Sequence, residues 1–208
     1  KMHFTNVKKW LDGGMFGWYG TGWTDNQKPF NEGQVAMWLG SSGSFGGVKA
    51  SAKFPFNATY LPYWESLTKD PTQTFIGGAA LFAMSGHDDA ENKAVAEFFK
   101  FLTSPEIQFF WHKETGYVPI TTAAYDLAQK EGYYKEVPQA EIGIKQLTLP
   151  AGDWTKGYRL GFYVQIRDVM NREYGKLLQG ETDVDSAFVT IEEESNALLE
   201  RFAKTMGN

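Results

Sequence analysis

Residues 74–84 read TFIGGAALFAM, a nearly continuous apolar run with no helical spacing. Such a run suits a strand covered on both faces, as in a parallel sheet. Residues 34–39 and 56–61 (FNATYL) read as further strands. Helices dominate the rest of the chain. Ala94, Val95, Phe98, Phe99 and Leu102 fall on one helical stripe. Ser104-Pro105 supplies an N-cap and a proline at the first helical position. That helix carries Ile107, Phe110 and Trp111 as its apolar positions and ends before Gly116. Thr121 or Thr122 opens a third helix through Gln129. Residues 164–179 give a fourth, with Ile166, Val169, Met170, Tyr174, Leu177 and Leu178. Thr182-x-x-Asp185 has the form of a capping box. It opens a long helix marked by Phe188, Ile191, Ala197, Leu198 and Phe202. Strands early and helices late predict an α/β fold.

The N-terminal stretch carries Phe4, Val7, Trp10 and Leu11 on one helix face, stopped by Gly13-Gly14. No capping residue precedes Lys1. The helix therefore reads as cut partway, and the chain as a piece of a longer protein. Its opening residues, KMHFTNVKKW, lack the apolar region of a signal peptide.

Composition removes several function classes. The 208 residues are 42% apolar, enough for one large domain or two small ones. A net charge of −5 opposes the basic face that nucleic acid requires. No run of 18 apolar residues is present to span a membrane. With no cysteine, disulfides and thiolate metal sites are excluded.

The stretch LGSSGSFGG (39–47) is the strongest local candidate for a site. It is not a nucleophile elbow, because Gly40-Ser41-Ser42-Gly43-Ser44 has serine where G-x-S-x-G needs its last glycine. The phosphate-loop and dinucleotide patterns fail as well. Two readings stay open: a turn of small residues leading into a helix near Val48, or a cradle that lets an anion or hydroxyl approach the backbone. His3, His87 and His112 show no metal-ligand spacing. Glu192-Glu193-Glu194 reads as a solvated face. No catalytic residue, metal or cofactor is indicated.

Four segments carry a family resemblance: AMWLGSSGS (36–44), TFIGGAALFAMSGH (74–87), FFKFLTSPEIQFFWHKETGYVPITTAAYDLA (98–128) and KGYRLGFYVQIRDV (156–169). In this order they resemble the C-terminal half of the periplasmic glycerol-3-phosphate-binding proteins of ABC importers, a branch of the extracellular solute-binding proteins. The resemblance covers nearly the whole chain. It implies a periplasmic, non-enzymatic protein with two α/β lobes joined by a hinge and the ligand in the cleft. Glycerol-3-phosphate or a glycerophosphodiester would be the solute, and ABC permease subunits the partner. The resemblance places residues 1–74 and 119–208 in the second lobe and 75–118 in a returning segment of the first. An incomplete first lobe should leave apolar surface uncovered.

Carried over residue by residue, the resemblance implies four ligand contacts: Ser41, Gly78 (or Gly77), Tyr117 and Arg167. Arg offers phosphate a planar fork of donors that stays charged. Tyr117 and Ser41 offer hydroxyls, and Gly78 offers close approach to the backbone. Each also has a plainer reading: a solvated arginine, a packing tyrosine, a tightly packed strand glycine, a turn serine. The alternative within the same fold is a sugar or oligosaccharide, stacked on Trp18, Trp23, Trp38, Trp64 or Trp154.

Overall fold

The computed structural model describes residues 1–206 apart from Trp23, and their side chains apart from that of Trp154. Ten α-helices are found among the described residues. They are α1 (Met2–Asp12), α2 (Gln27–Asn31), α3 (Phe45–Ser51), α4 (Asp89–Leu102), α5 (Pro105–Thr115), α6 (Thr122–Lys130), α7 (Tyr133–Glu136), α8 (Gln139–Leu147), α9 (Tyr163–Gln179) and α10 (Val184–Met206). Two 3₁₀ turns, Ser42–Ser44 and Asp153–Thr155, complete the regular structure. None of these helices is long and apolar enough to cross a membrane.

The chain divides into two compact units, Lys1–Trp38 with Tyr158–Asn208, and Leu39–Gly157. In the first, α9 packs against α10 and α1. Ile166, Val169, Leu177 and Leu178 of α9 are buried with Val7 of α1 and Ala187 of α10. Phe4 closes this core, with ring centroids 4.7 Å from Tyr174 and 5.0 Å from Phe188. Glu173 is buried among these helices. Lys176, at 2.9 Å, and Arg172, at 2.8 Å, hold its carboxyl below the usual range. Arg172 also reaches Glu194 at 2.6 Å, which ties α9 to α10.

In the second unit, α5 packs on α6 and α3, and the core gathers Ala128, Tyr133, Tyr134 and Ala140. Phe45, Phe109, Tyr125, Val137 and Ile144 pack around it. Tyr125 donates to Glu141 at 2.7 Å, while Lys145 stands 2.6 Å from the same carboxylate.

Most helix signals in the sequence are local and hold. Thr121 caps α6 by accepting from the Ala124 amide at 3.3 Å. Gly116 ends α5 in the left-handed region at φ 83°. The last cap is shifted by one residue: Asp183, not Thr182, accepts from the amides of Asp185 and Ser186 at 2.8 and 3.0 Å. A cap of this kind contributes about 1 kcal/mol. The α4 helix begins earlier than its apolar stripe, at a capping box formed by Asp88 and Glu91. The short helices α2 and α7, and α8 after Pro138, escape the sequence reading.

The strands do not form. No strand is present among the described residues, so the α/β class is not what this chain shows; its described secondary structure is helical. Residues 56–61 lie outside any regular element. Gln146 of α8 holds part of this region instead. Its Oε1 accepts from the Leu61 amide and its Nε2 donates to the Thr72 carbonyl, each at 2.9 Å. The apolar run 74–84 is not covered on both faces: Ile76 is 73% exposed and Phe82 81%. The physical reason is that a strand cannot satisfy its own backbone. It needs neighbouring strands for hydrogen bonds and layers on its faces for burial.

Candidate functional site

LGSSGSFGG becomes a tight turn. Ser41 is extended (φ −71°, ψ 143°), and its Oγ accepts from the Gly43 amide at 3.2 Å. The 3₁₀ turn then runs directly into α3. This leaves the exposed Ser41 hydroxyl with a proton to donate outward.

The turn is pressed against the end of α5, and glycines make the approach possible. A β-carbon on Gly116 would stand 2.5 Å from the Ser42 carbonyl oxygen. One on Gly46 would stand 3.0 Å from the Glu114 carbonyl oxygen. Residue 117 follows directly. One edge of the Tyr117 ring faces Gly43, where a β-carbon would lie 3.0 Å from Cε2. The other edge faces Gly78, where it would lie 3.8 Å from Cε1. Gly78 has φ 125°, a conformation that side chains disfavour. Gly77 makes no such approach. Of the four expected residues, Gly78 and Tyr117 therefore meet at one aromatic ring, and Ser41 is tied to Gly43, the glycine at the ring's other edge.

The ring is held by its backbone. The Tyr117 amide donates to Thr115 Oγ1 at 3.1 Å, and Thr115 Oγ1 donates in turn to the Trp111 carbonyl at 2.6 Å. The Tyr117 carbonyl lies 2.7 Å from His112 Nδ1. His112 is only 1% exposed, and its Nε2 lies 3.1 Å from the Tyr134 hydroxyl. Burial pushes the imidazole below its ordinary pKa, against the opposing pull of the Tyr117 carbonyl. The ring is thus neutral near pH 7. A carbonyl oxygen can only accept, so Nδ1 carries the proton, and the Tyr134 hydroxyl donates to bare Nε2. Tyr117 itself is 45% exposed, and its hydroxyl has no hydrogen-bond partner among the described residues.

No sequence signal marks His112 as part of the site. The apolar positions read from the sequence of α5 are Ile107, Phe110 and Trp111. In the structure Trp111 is 54% exposed and Phe110 is exposed too, while His112 occupies the buried position. A buried imidazole that stays neutral has a definite consequence. The unfolded chain binds a proton at about pH 6.5, the folded protein only at lower pH. The stability His112 contributes is complete above pH 6.5. It is lost as pH falls through the folded value. Denaturant midpoints measured from pH 7.5 to 5 should therefore fall toward acid, and His112→Asn should flatten that slope. Tyr133 and Tyr134, the rings against His112, both have raised pKa values and stay neutral across this window.

Arg167 lies in the first compact unit, in the second turn of α9. It is exposed, and no carboxylate of its unit pairs with it among the described residues. Val164 and Met170, at i−3 and i+3, flank it as exposed apolar side chains. Just before α9, Phe162 adopts φ 52°, the one positive φ among described non-glycine residues. The Phe202 ring at 5.4 Å and the Arg201 guanidinium at 4.8 Å hold it there. A groove of about 650 Å³ lies nearby between α9 and α10. Two of its lining charges, Arg172 and Glu194, pair with each other, and Arg167 does not line it. Of the tryptophans considered for sugar stacking, Trp23 and the Trp154 side chain lie outside the described residues. Trp18, Trp38 and Trp64 are half-buried.

Exposed hydroxyls and glycine-relieved backbone around a fixed ring make a surface suited to holding a small polar molecule. The family model described as bacterial extracellular solute-binding protein matches residues 1–141, and the chain belongs to that family. Its relatives are more particular. The chain is 41% identical over 193 residues to the sn-glycerol-3-phosphate-binding periplasmic protein UgpB of Pectobacterium atrosepticum, covering 92% of this chain and 43% of that protein. It is 39% identical over 181 residues to the protein of the same name from Salmonella typhimurium, covering 86% and 41%. In fold it matches the crystal structure of UgpB from Mycobacterium tuberculosis in complex with glycerophosphocholine, with a TM-score of 0.81 and 23% identity. That match covers 96% of this chain and 48% of the other. The chain therefore spans less than half the length of the relatives it matches.

Proposed function

We propose that this chain is part of the solute-binding component of an ABC importer, which captures sn-glycerol-3-phosphate or a glycerophosphodiester in the periplasm and delivers it to a membrane permease without chemistry. The observation that carries this reading is the half-exposed Tyr117, its ring flanked by Gly43 and Gly78, in a chain about 40% identical to proteins named for glycerol-3-phosphate binding. Ser41, Gly78, Tyr117 and Arg167 are the proposed solute contacts. Arg167 supplies the guanidinium a phosphate requires, and its apolar neighbours Val164 and Met170 limit hydration around it.

The intact protein would carry the two α/β lobes of its family, with residues 1–74 and 119–208 in one lobe and 75–118 in the other. The exposure of the apolar run 74–84 supports that assignment. So does α4, which has no buried residue even though Phe98 and Phe101 belong to its apolar content. Apolar surface of this extent is characteristic of a face made to be covered.

A tryptophan-fluorescence titration of the full-length protein tests the function. sn-Glycerol-3-phosphate should give a saturable response that inorganic phosphate and maltose do not. A response to maltose alone would transfer the protein to the sugar-binding branch of the fold. Release of product from a glycerophosphodiester, with or without divalent metal, would overturn the non-enzymatic reading.

A further inference from the structure

We infer that His112 is a positioning residue for the solute site: through its hydrogen bond to the Tyr117 carbonyl, and its anchor on Tyr134, it sets where the Tyr117 hydroxyl stands. This rests on the reading of Tyr117 as a solute contact.

Three observations lead to it. First, both ring nitrogens of His112 are used, at 2.7 Å to the Tyr117 carbonyl and 3.1 Å to the Tyr134 hydroxyl. Second, the environment fixes the orientation of the ring. Tyr133 stands edge-on at 5.6 Å between centroids, Tyr134 lies at 5.7 Å, and the residue is almost wholly buried. Third, Tyr117 lies beyond the left-handed Gly116, outside the helix ladder. Its position is set by side chains: Thr115 on its amide and His112 on its carbonyl. If packing alone were needed, an aliphatic residue would fill this place at lower cost, because a buried imidazole must have its polar atoms satisfied. The imidazole instead converts the rigid aromatic core of α5, α6 and α7 into a fixed seat for an exposed hydroxyl. Fixing a contact before the solute arrives removes an ordering cost from binding.

The two carboxamides separate positioning from packing. In His112→Asn the amide nitrogen falls near Nδ1 and can still donate to the Tyr117 carbonyl. In His112→Gln it falls near Nε2, which keeps contact with Tyr134 and leaves the Tyr117 carbonyl without its donor. The experiment is calorimetric titration of the full-length protein with sn-glycerol-3-phosphate, with a thermal melt of each variant. His112→Gln should weaken binding about tenfold, and His112→Asn should stay within about threefold of the native protein, even where both melt lower by a similar amount. Tyr134→Phe, which preserves the ring in the core, should weaken binding about threefold and serves if the histidine variants do not fold. In a Tyr117→Phe background, His112→Gln should cause no further loss of affinity. Equal affinities for the Asn and Gln variants, native affinity in Tyr134→Phe with Gln unfolded, or full additivity with Tyr117→Phe would each overturn the inference while leaving the function standing. Native affinity in Tyr117→Phe alone would remove Tyr117 from the site, and with it the role of His112.

Discussion

Gly116→Ala lowers the thermal midpoint by about 5–15 °C, the largest stability loss expected from any single methyl group added at a described glycine of the second unit. Two costs add. Residue 116 sits at φ 83°, where a β-carbon costs about 1–2 kcal/mol. The new carbon would also meet the Ser42 carbonyl oxygen at 2.5 Å and the Phe45 β-carbon at 2.9 Å. Neither neighbour is the loose end of a flexible side chain, so relief requires movement of the 42–46 turn. Overpacking of that kind costs about 1–3 kcal/mol. A protein of this size loses about 2–4 °C per kcal/mol. Gly132→Ala is the control. Its φ is 76°, but a β-carbon there meets nothing within 4 Å, so it pays for conformation alone. Equal losses for the two variants would show that the close approach of the turn to α5 contributes nothing. In the full-length protein Gly116→Ala should also weaken solute binding, because the same movement displaces Tyr117.

Arg167→Ala should lower the affinity of the full-length protein for sn-glycerol-3-phosphate at least tenfold, and by up to about a hundredfold, with an unchanged melt. A hydrogen bond to a charged group contributes about 1.5–3 kcal/mol net, and each factor of ten is about 1.4 kcal/mol. The melt is unaffected because Arg167 is exposed and has no ion pair within its unit among the described residues. Arg167→Lys should recover only part of the affinity, because an ammonium replaces a two-pronged donor by a point charge. Native affinity in Arg167→Ala would remove Arg167 from the site and leave the hydroxyl contacts to carry recognition.

These two variants act on different kinds of structure. Gly116 matters because two backbones touch, and no spacing in the sequence announces that contact. Arg167 stands out as a charge on a helix with an apolar stripe. Its assignment, like those of Ser41, Gly78 and Tyr117, came through resemblance. The structure brings Gly78 to the Tyr117 ring, ties Ser41 to Gly43 at the ring's other edge, and holds Arg167 in the other compact unit. His112 illustrates what pattern reading misses. The helical period of α5 fits Trp111 inward as readily as His112, and only the arrival of Tyr133 and Tyr134 from α7 decides between them.

The sequence by itself determined the long helices and most of their ends. Pro105, Thr121 and Gly116 act within a turn of their own position, so their effect is written locally, although the Ser104 hydroxyl turns back to the Phe101 carbonyl instead of capping α5. The stripe of α10 from Phe188 to Phe202 follows from the helical period. Family membership was legible for a related reason: the WHKETGYVPI stretch carries a helix end, a left-handed glycine and the tyrosine after it in one short string. Tertiary structure decided the rest. Whether 74–84 becomes a strand depends on neighbours to bond its backbone and layers to cover its faces, and the described residues supply neither. Residues 61 and 72 are bridged by a glutamine from α8, far along the chain. The seat of Tyr117 requires residues 42–46, 112 and 134 to meet in space. Local sequence sets a backbone's preference, but burial and hydrogen-bond partners come from elsewhere in the fold.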